Sequence, residues 1–216
     1  MHPTFTAVLL AGGKSTRMGR DKAYLKFEWE GASIPLWERQ LGVLQSITPE
    51  KLFISGARKE GYPASVTVLE DDWPDVGPLG GIATCLSKSQ SALLLVLAVD
   101  LPRIQPRFLK KLLTRSVAGR GVVPMHQNRF EPHIAVYPAS ALVLAIDQIR
   151  EQNYALQSFV ARLLENHLIM SYEVEAFERV QLENWNTPED ARSFPSLELP
   201  TDDAPRGRGS VRASGA

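Results

Sequence analysis

The chain has 216 residues, 44% of them hydrophobic and 22% charged, with 24 Lys+Arg balanced by 24 Asp+Glu. That length suits one good-sized domain or a tightly fused pair, and the composition is that of a globular protein able to bury a real core. A formal net charge of zero argues against a dedicated nucleic-acid binder, which would carry a basic excess, while leaving room for a small phosphate-bearing ligand.

Phe5 to Leu10 is an apolar run that stops at Gly12-Gly13, as expected for a buried strand feeding a glycine loop. Pro35 to Ser46 reads as a helix, with Leu36, Leu41 and Leu44 on one stripe. Lys51 to Ser55 and Val66 to Leu69 are short strand candidates. Gly77-Pro78-Leu79-Gly80-Gly81 opens a helix running through Leu86, with Pro78 in the first turn, where a missing N–H costs nothing. Ala92 to Val99 is apolar throughout, the pattern of a central parallel strand covered on both faces, and it ends at Asp100. Further strands are expected at Gly121 to Pro124, His133 to Tyr137 and His167 to Val174, with helices at Ser140 to Arg150 and Leu156 to Glu165. Thr187-Pro188-Glu189-Asp190 reads as an N-cap, a first-turn proline and two acids favourable to the helix dipole.

Strand and helix alternate for most of the length, which predicts an α/β fold with a mostly parallel central sheet. Residues 1–195 are expected to form the domain. Residues 196–216 shift to Pro, Gly, Ser, Asp and Arg and are expected to be a disordered tail. The single cysteine, Cys85, excludes an intrachain disulfide framework and a cysteine-based zinc cluster, and reads as a small buried helix residue. No run approaches the roughly 18 apolar residues of a membrane span, and no basic leader is apparent. A cytoplasmic protein without membrane partners is expected.

The segment from Leu9 to Lys22 carries the most information. Gly13-Lys14-Ser15 suggests a P-loop, but that motif needs a glycine five positions before the Gly-Lys pair, where Val8 stands. The dinucleotide fingerprint G-x-G-x-x-G is missing as well. What remains is a strand, two glycines, and Lys14, Arg17, Arg20 and Lys22 in close succession. Glycines let backbone N–H groups approach a ligand and nearby cations neutralise a polyphosphate, at the strand end where open α/β sheets bind ligands. A solvated charged turn fits the same composition.

The whole string Leu10, Ala11, Gly12, Gly13, Ser15, Arg17, Met18, Gly19, Asp21 and Lys22 resembles the L-A-G-G-x-S-x-R-M-G-x-D-K signature of the molybdenum cofactor guanylyltransferase family, a branch of the Rossmann-like nucleotidyltransferases. The resemblance covers roughly residues 5–194, with the tail and residues 28–33 outside it. It implies a Rossmann-like three-layer sandwich that binds GTP and Mg²⁺. The reaction implied is transfer of GMP to molybdopterin, with cofactor-biosynthesis proteins or apo-molybdoenzymes as conceivable partners. Arg17, Lys22 and Asp100 take catalytic roles in that reading, with Asp100 as the metal ligand. Leu10, Ala11, Gly12, Gly13, Lys14, Lys22, Ser55, Asp71, Gly80 and Asp100 would contact the nucleotide.

Asp100 follows the buried strand directly, and a carboxylate there suits Mg²⁺, which takes one or two carboxylates plus waters and phosphate oxygens. Ala98-Val99-Asp100-Leu101-Pro102 resembles the family's C-D-x-P-x-I block, with Val99 where cysteine is frequent. Glu70-Asp71-Asp72 before Gly77 to Gly81 resembles the D…G-P-L-x-G block. Asp71 matches best by spacing, and Asp72 and a solvated acidic turn stay open. Ser55 departs from the asparagine often found at its position. Glu131-Pro132-His133 and Asn184-Trp185-Asn186 resemble segments that line the acceptor side, which implies acceptor contacts for Glu131, Asn184 and Asn186. Helix capping is the other role open to Asn186. The L-A-G-G form, rather than L-A-A-G, implies guanine over cytosine. Transfer of CMP or to a sugar phosphate, and a non-catalytic nucleotide-binding module, are the competing readings.

Overall fold

The computed structural model describes residues 3–12, 21–29 and 32–185. Its elements, in chain order, begin with β1 (Phe5–Leu10), the hairpin β2 (Lys26–Trp29) and β3 (Ala32–Pro35), α1 (Leu36–Gln45), β4 (Lys51–Ser55) and β5 (Thr67–Leu69). They continue with α2 (Pro78–Lys88), β6 (Leu93–Ala98), α3 (Pro106–Arg115), β7 (Gly121–His126), β8 (Arg129–Phe130) and β9 (Ile134–Pro138). The last are α4 (Ala141–Arg150), α5 (Leu156–Glu165) and β10 (Ile169–Glu173). A single 3-10 turn covers Lys22–Tyr24 and a longer 3-10 segment Ala176–Leu182.

Apart from the β2–β3 hairpin, the described strands form one sheet in the order β10-β7-β9-β6-β1-β4-β5, with β8 paired to β7. β6, β1, β4 and β5 run parallel, while β9 is antiparallel to both β6 and β7. Alternation explains the all-apolar runs. Leu93, Leu95 and Leu97 of β6 pack on the face covered by α1 and α3, whereas Leu94 and Val96 pack on the face covered by α2, α4 and α5. Both faces are therefore dry, and the domain is a three-layer α/β sandwich, as expected.

The helix α3, the β2–β3 hairpin and the short strand β8 were not anticipated. α3 buries Phe108, Leu109 and Leu112 on one stripe, with Leu113 half-buried at its edge, and has a proline in its first turn. The β2–β3 hairpin pairs Phe27 with Ile34 and sends Phe27 into the core beneath α1. The expected cap at Thr187 and the expected tail lie outside the described residues.

The register fixes where chemistry can occur. Leu10 lies opposite Ala98 on one side and Ser55 on the other, and Ser55 lies opposite Leu69. All four parallel strands thus end level, and the segments that follow them emerge side by side. Because β9 runs the other way, it delivers its start to the same edge: the Ala98 amide donates to the His133 carbonyl at 2.8 Å.

Candidate active site

At this edge lies a cleft of about 810 Å³. Leu10, Ala11 and Gly12 line it from the end of β1, Ser55, Ala57 and Lys59 from the end of β4 and the loop after it, and Asp71, Asp75, Gly77, Pro78 and Gly81 from the entry to α2. Ala98, Val99 and Asp100 close it from β6, together with Asp21, Lys22 and His133. The four parallel strand ends hold one another past their last residues. The Ala11 amide donates to the Ser55 carbonyl (3.1 Å), Val99 to Leu10 (3.1 Å) and Gly56 to Leu69 (2.8 Å).

Close backbone approach requires glycine at two places. Gly56 has φ +122°, and a Cβ built on it would stand 2.8 Å from Gly12 Cα, so no L side chain fits. A Cβ on Gly81 would collide with Ser55 Oγ and stand 3.2 Å from Asp71 Oδ1. Gly12 itself has room on the protein side, its nearest neighbour being Gly56 Cα at 3.4 Å.

One polar pair stands on each side of the β1 end. On the β4 side, the Ser55 hydroxyl donates to Asp71 Oδ1 at 3.2 Å. Burial pushes the Asp71 carboxyl above its ordinary range; the Ser55 hydrogen bond opposes that, and the neighbouring Asp72 charge adds to it. On the β6 side, Lys22 Nζ lies 3.1 Å from Asp100 Oδ2, both side chains about one-quarter exposed. Lys22 is presented by its 3-10 turn, which Asp21 caps by accepting from the Ala23 amide at 3.1 Å.

The backbone of Asp100 to Ile104 is held from behind. The Trp185 amide donates to the Asp100 carbonyl (2.9 Å), Gln40 Nε2 to Leu101 (2.5 Å) and Arg39 Nη2 to Ile104 (2.8 Å). Arg39 also donates to Gln40 Oε1 (2.6 Å) and sits over the Phe27 ring, which packs against Trp185. Burial lowers the Arg39 guanidinium to about 10, so it stays charged at neutral pH. These contacts give the unforeseen hairpin a purpose: it completes the packing that fixes the Asp100 segment.

The cleft therefore brings together Leu10, Ala11, Gly12, Lys22, Ser55, Asp71 and Asp100 from distant parts of the sequence. Gly80 is a correction: it faces Trp73 and Val76 in the protein interior, with the Trp73 carbonyl 2.8 Å from a built Cβ, and its neighbour Gly81 faces the cleft. One residue along a helix turns the side-chain direction by about 100°, so the G-G pair cannot share one face. Glu131 is likewise outside the lining. It is partly buried in the turn between β8 and β9, where burial pushes its carboxyl above the ordinary range and the Arg129 charge opposes that. Asn184 is exposed, beside the Trp185 that bonds the Asp100 backbone. Gly13, Lys14, Arg17 and Asn186 lie outside the described residues.

Sequence reasoning missed Lys59, Asp75 and Gly81. Gly81 lies within the G-P-L-x-G stretch, but a linear motif does not say which helix face meets the cleft; Lys59, one charge in a polar loop, carried no local signal. His133 lines the cleft, its imidazole pushed down by burial against an upward pull from Asp100. Cys85 is fully buried on α2 and its thiol is pushed up to about 12, chiefly by burial, so it is inert packing.

Comparison with known proteins gives the family. The MobA-like NTP transferase domain matches residues 7–167. A probable molybdenum cofactor guanylyltransferase from Opitutus terrae is 36% identical over 84% of this chain and 90% of its own. A molybdenum cofactor guanylyltransferase from Xanthomonas euvesicatoria is 34% identical over 86% of this chain and 91% of its own. Among solved structures, molybdopterin-guanine dinucleotide biosynthesis protein A from Archaeoglobus fulgidus shares the fold. Its TM-score is 0.66 at 24% identity, over 88% of this chain and 95% of that one. The level strand ends, the glycine-edged cleft and these relatives lead to one assignment: the chain is a nucleotidyltransferase and belongs to the family of the MobA-like NTP transferase domain.

Proposed function

We propose that the protein transfers GMP from Mg-GTP to molybdopterin, releasing pyrophosphate and forming the guanine dinucleotide cofactor. The relatives' names support the base and the acceptor. The observation that carries the site of reaction is the Lys22–Asp100 pair at 3.1 Å, opposite the Ser55–Asp71 pair in one cleft.

Asp100 suits a divalent cation. Its carboxylate faces the cleft, and among the described residues no cluster of three or more His, Cys, Asp and Glu stands ready to enclose an ion. One protein carboxylate, with waters and phosphate oxygens completing the shell, is the donor set magnesium favours. When bound there, the ion supplies charge neutralisation at the triphosphate.

The chain's own residues then position and neutralise. The edge at Ala11–Gly12 receives the nucleotide, with Gly12 leaving space for a purine. Lys14 and Arg17 hold the phosphates that leave. Lys22 stands near the α-phosphate, its ammonium balancing charge as the acceptor oxygen bonds to the α-phosphorus and the bond to the β-phosphate oxygen breaks. A phosphate-monoester acceptor is already anionic near neutral pH, so no protein base must remove a proton. Glu131, Asn184 and Asn186 keep their proposed place on the acceptor side, Asn184 through its neighbour's bond to Asp100. The reading places the work in the cytoplasm alongside cofactor-biosynthesis proteins or apo-molybdoenzymes; among the described residues no helix is long and apolar enough to cross a membrane. Pyrophosphate release measured with each of the four nucleoside triphosphates, with and without molybdopterin, tests the reading. Release only with GTP plus molybdopterin is expected; equal release with CTP, or release indifferent to molybdopterin, contradicts it.

A further inference from the structure

Lys59 is unlike the other cleft cation. It lies beyond β4, not in the glycine-loop string, yet its ammonium reaches both sides of that string. It donates to the Ala11 carbonyl at 2.9 Å and pairs with Asp21 Oδ2 at 2.6 Å. Ala11 and Asp21 flank residues 12–20, so one side chain ties the end of β1 to the start of the turn that carries Lys22. The next residue adds a second tie, since the Tyr24 hydroxyl donates to the Glu60 carbonyl at 2.7 Å. Asp21 is doubly used: one oxygen caps the Ala23 amide and the other takes Lys59. Beyond the turn, Lys22 meets Asp100.

The geometry points to Lys59 as a positioning residue for the nucleotide. It fixes the separation between the β1 end and the Lys22 turn, and so sets where the Lys22 ammonium stands relative to the Ala11–Gly12 edge. This explains what Asp21 is for: its carboxylate both caps the Lys22 turn and receives Lys59. The inference rests on the cleft being the nucleotide site, and not on the identity of the base or acceptor. The Lys59 side chain is 19% exposed and that of Asp21 38%, so solvent weakens the pair. The geometry it imposes, through a charge-assisted bond to a carbonyl as well as the ion pair, matters more than its strength.

Binding of the magnesium salts of GTP, CTP, ATP and UTP to wild type by calorimetry first picks the tightest; a winner other than GTP counts against the proposed function but leaves this test intact. With that nucleotide, Lys59→Met is expected to weaken binding about 10-fold and Lys59→Arg to recover most of it. Asp21→Asn, which keeps the cap oxygen and loses the charge, is expected to weaken binding to a similar degree. The double variant Lys59→Met/Asp21→Asn should be no weaker than either single change, because both break one link. In turnover, KM for the nucleotide should rise while KM for the acceptor stays put. Lys59→Met binding within about twofold of wild type, or single effects that multiply in the double variant, overturns the inference. Should Lys59→Met fail to fold, Asp21→Asn alone decides: unchanged affinity overturns it and about 10-fold weakening with an acceptor KM left in place supports it.

Discussion

The two halves of the sheet make different contributions to the cleft. In the parallel half, β6, β1, β4 and β5 end level, so every segment after a strand falls on the same edge. Asp100, Gly12, Ser55 and Asp71 are brought together by topology, with no need for long loops. In the other half, β9 is reversed and offers the edge only the residue before its start, His133. β7 and β10 contribute none of the residues that line the cleft. The lesson is that strand direction, not sequence distance, decides which residues can share a site. In the proposed reading the parallel half holds the nucleotide, and the segment before the reversed strand supplies a wall beside Asp100.

That division can be broken most severely at Asp100. Asp100→Ala is expected to lower turnover by a factor on the order of 10² or more, because it removes the carboxylate suited to the metal, while circular dichroism stays that of wild type. Wild-type turnover with unchanged metal dependence would place the chemistry elsewhere.

The adjacent glycines of α2 sharpen the contrast between cleft and core. Gly81→Ala forces Ser55 away from Asp71 and is expected to weaken nucleotide binding about 10-fold with a small change in Tm. Gly80→Ala instead meets the fixed Trp73 carbonyl, and is expected to cost about 1–3 kcal/mol of stability. Thermal melts and calorimetry on the two variants separate these outcomes; equal behaviour would erase the distinction between the faces.

Asp71 gives a pH-dependent test. Its folded carboxyl lies above its unfolded value, mainly through burial, so ionisation favours the unfolded chain. The penalty is absent below the unfolded carboxylate range, grows as pH rises toward the folded value, and is constant above it. Asp71→Asn should therefore raise Tm at neutral pH, lose that advantage in acid, and bind nucleotide less well. A Tm gain that persists unchanged to low pH contradicts the assignment of the penalty to this carboxyl. The smallest effect belongs to the reversed strand: His133→Leu is expected to leave the nucleotide KM unchanged and turnover within about threefold, any change falling on the acceptor KM.

Much of this was legible in the sequence where local signals are strong. Phe5 to Leu10, Lys51 to Ser55, Ala92 to Val99 and Leu156 to Glu165 announce themselves by apolar runs or periodicity, and the structure returns them within a residue or so. The site residues near β1 and β6 could be read because a dense string of types surrounds them. What could not be read depends on tertiary placement. Lys59 becomes significant only when β4 lies beside β1, and the Arg39–Gln40 support only when α1 crosses behind Asp100. Gly80 was preferred to Gly81 because a linear motif does not say which helix face turns inward. The α3 stripe is short and flanked by cations, so its apolar residues gave little contrast.

Following the label from GTP tests the central claim, nucleotidyl transfer from GTP to molybdopterin in this cleft, most directly. GTP labelled at the α-phosphate and, separately, at the γ-phosphate is incubated with wild type, molybdopterin and magnesium, and the acceptor product is isolated. The account predicts α-label in the product, γ-label only in released pyrophosphate, and neither result with Asp100→Ala. Transfer of the γ-label to the acceptor, or α-label transfer that survives loss of Asp100, would contradict it.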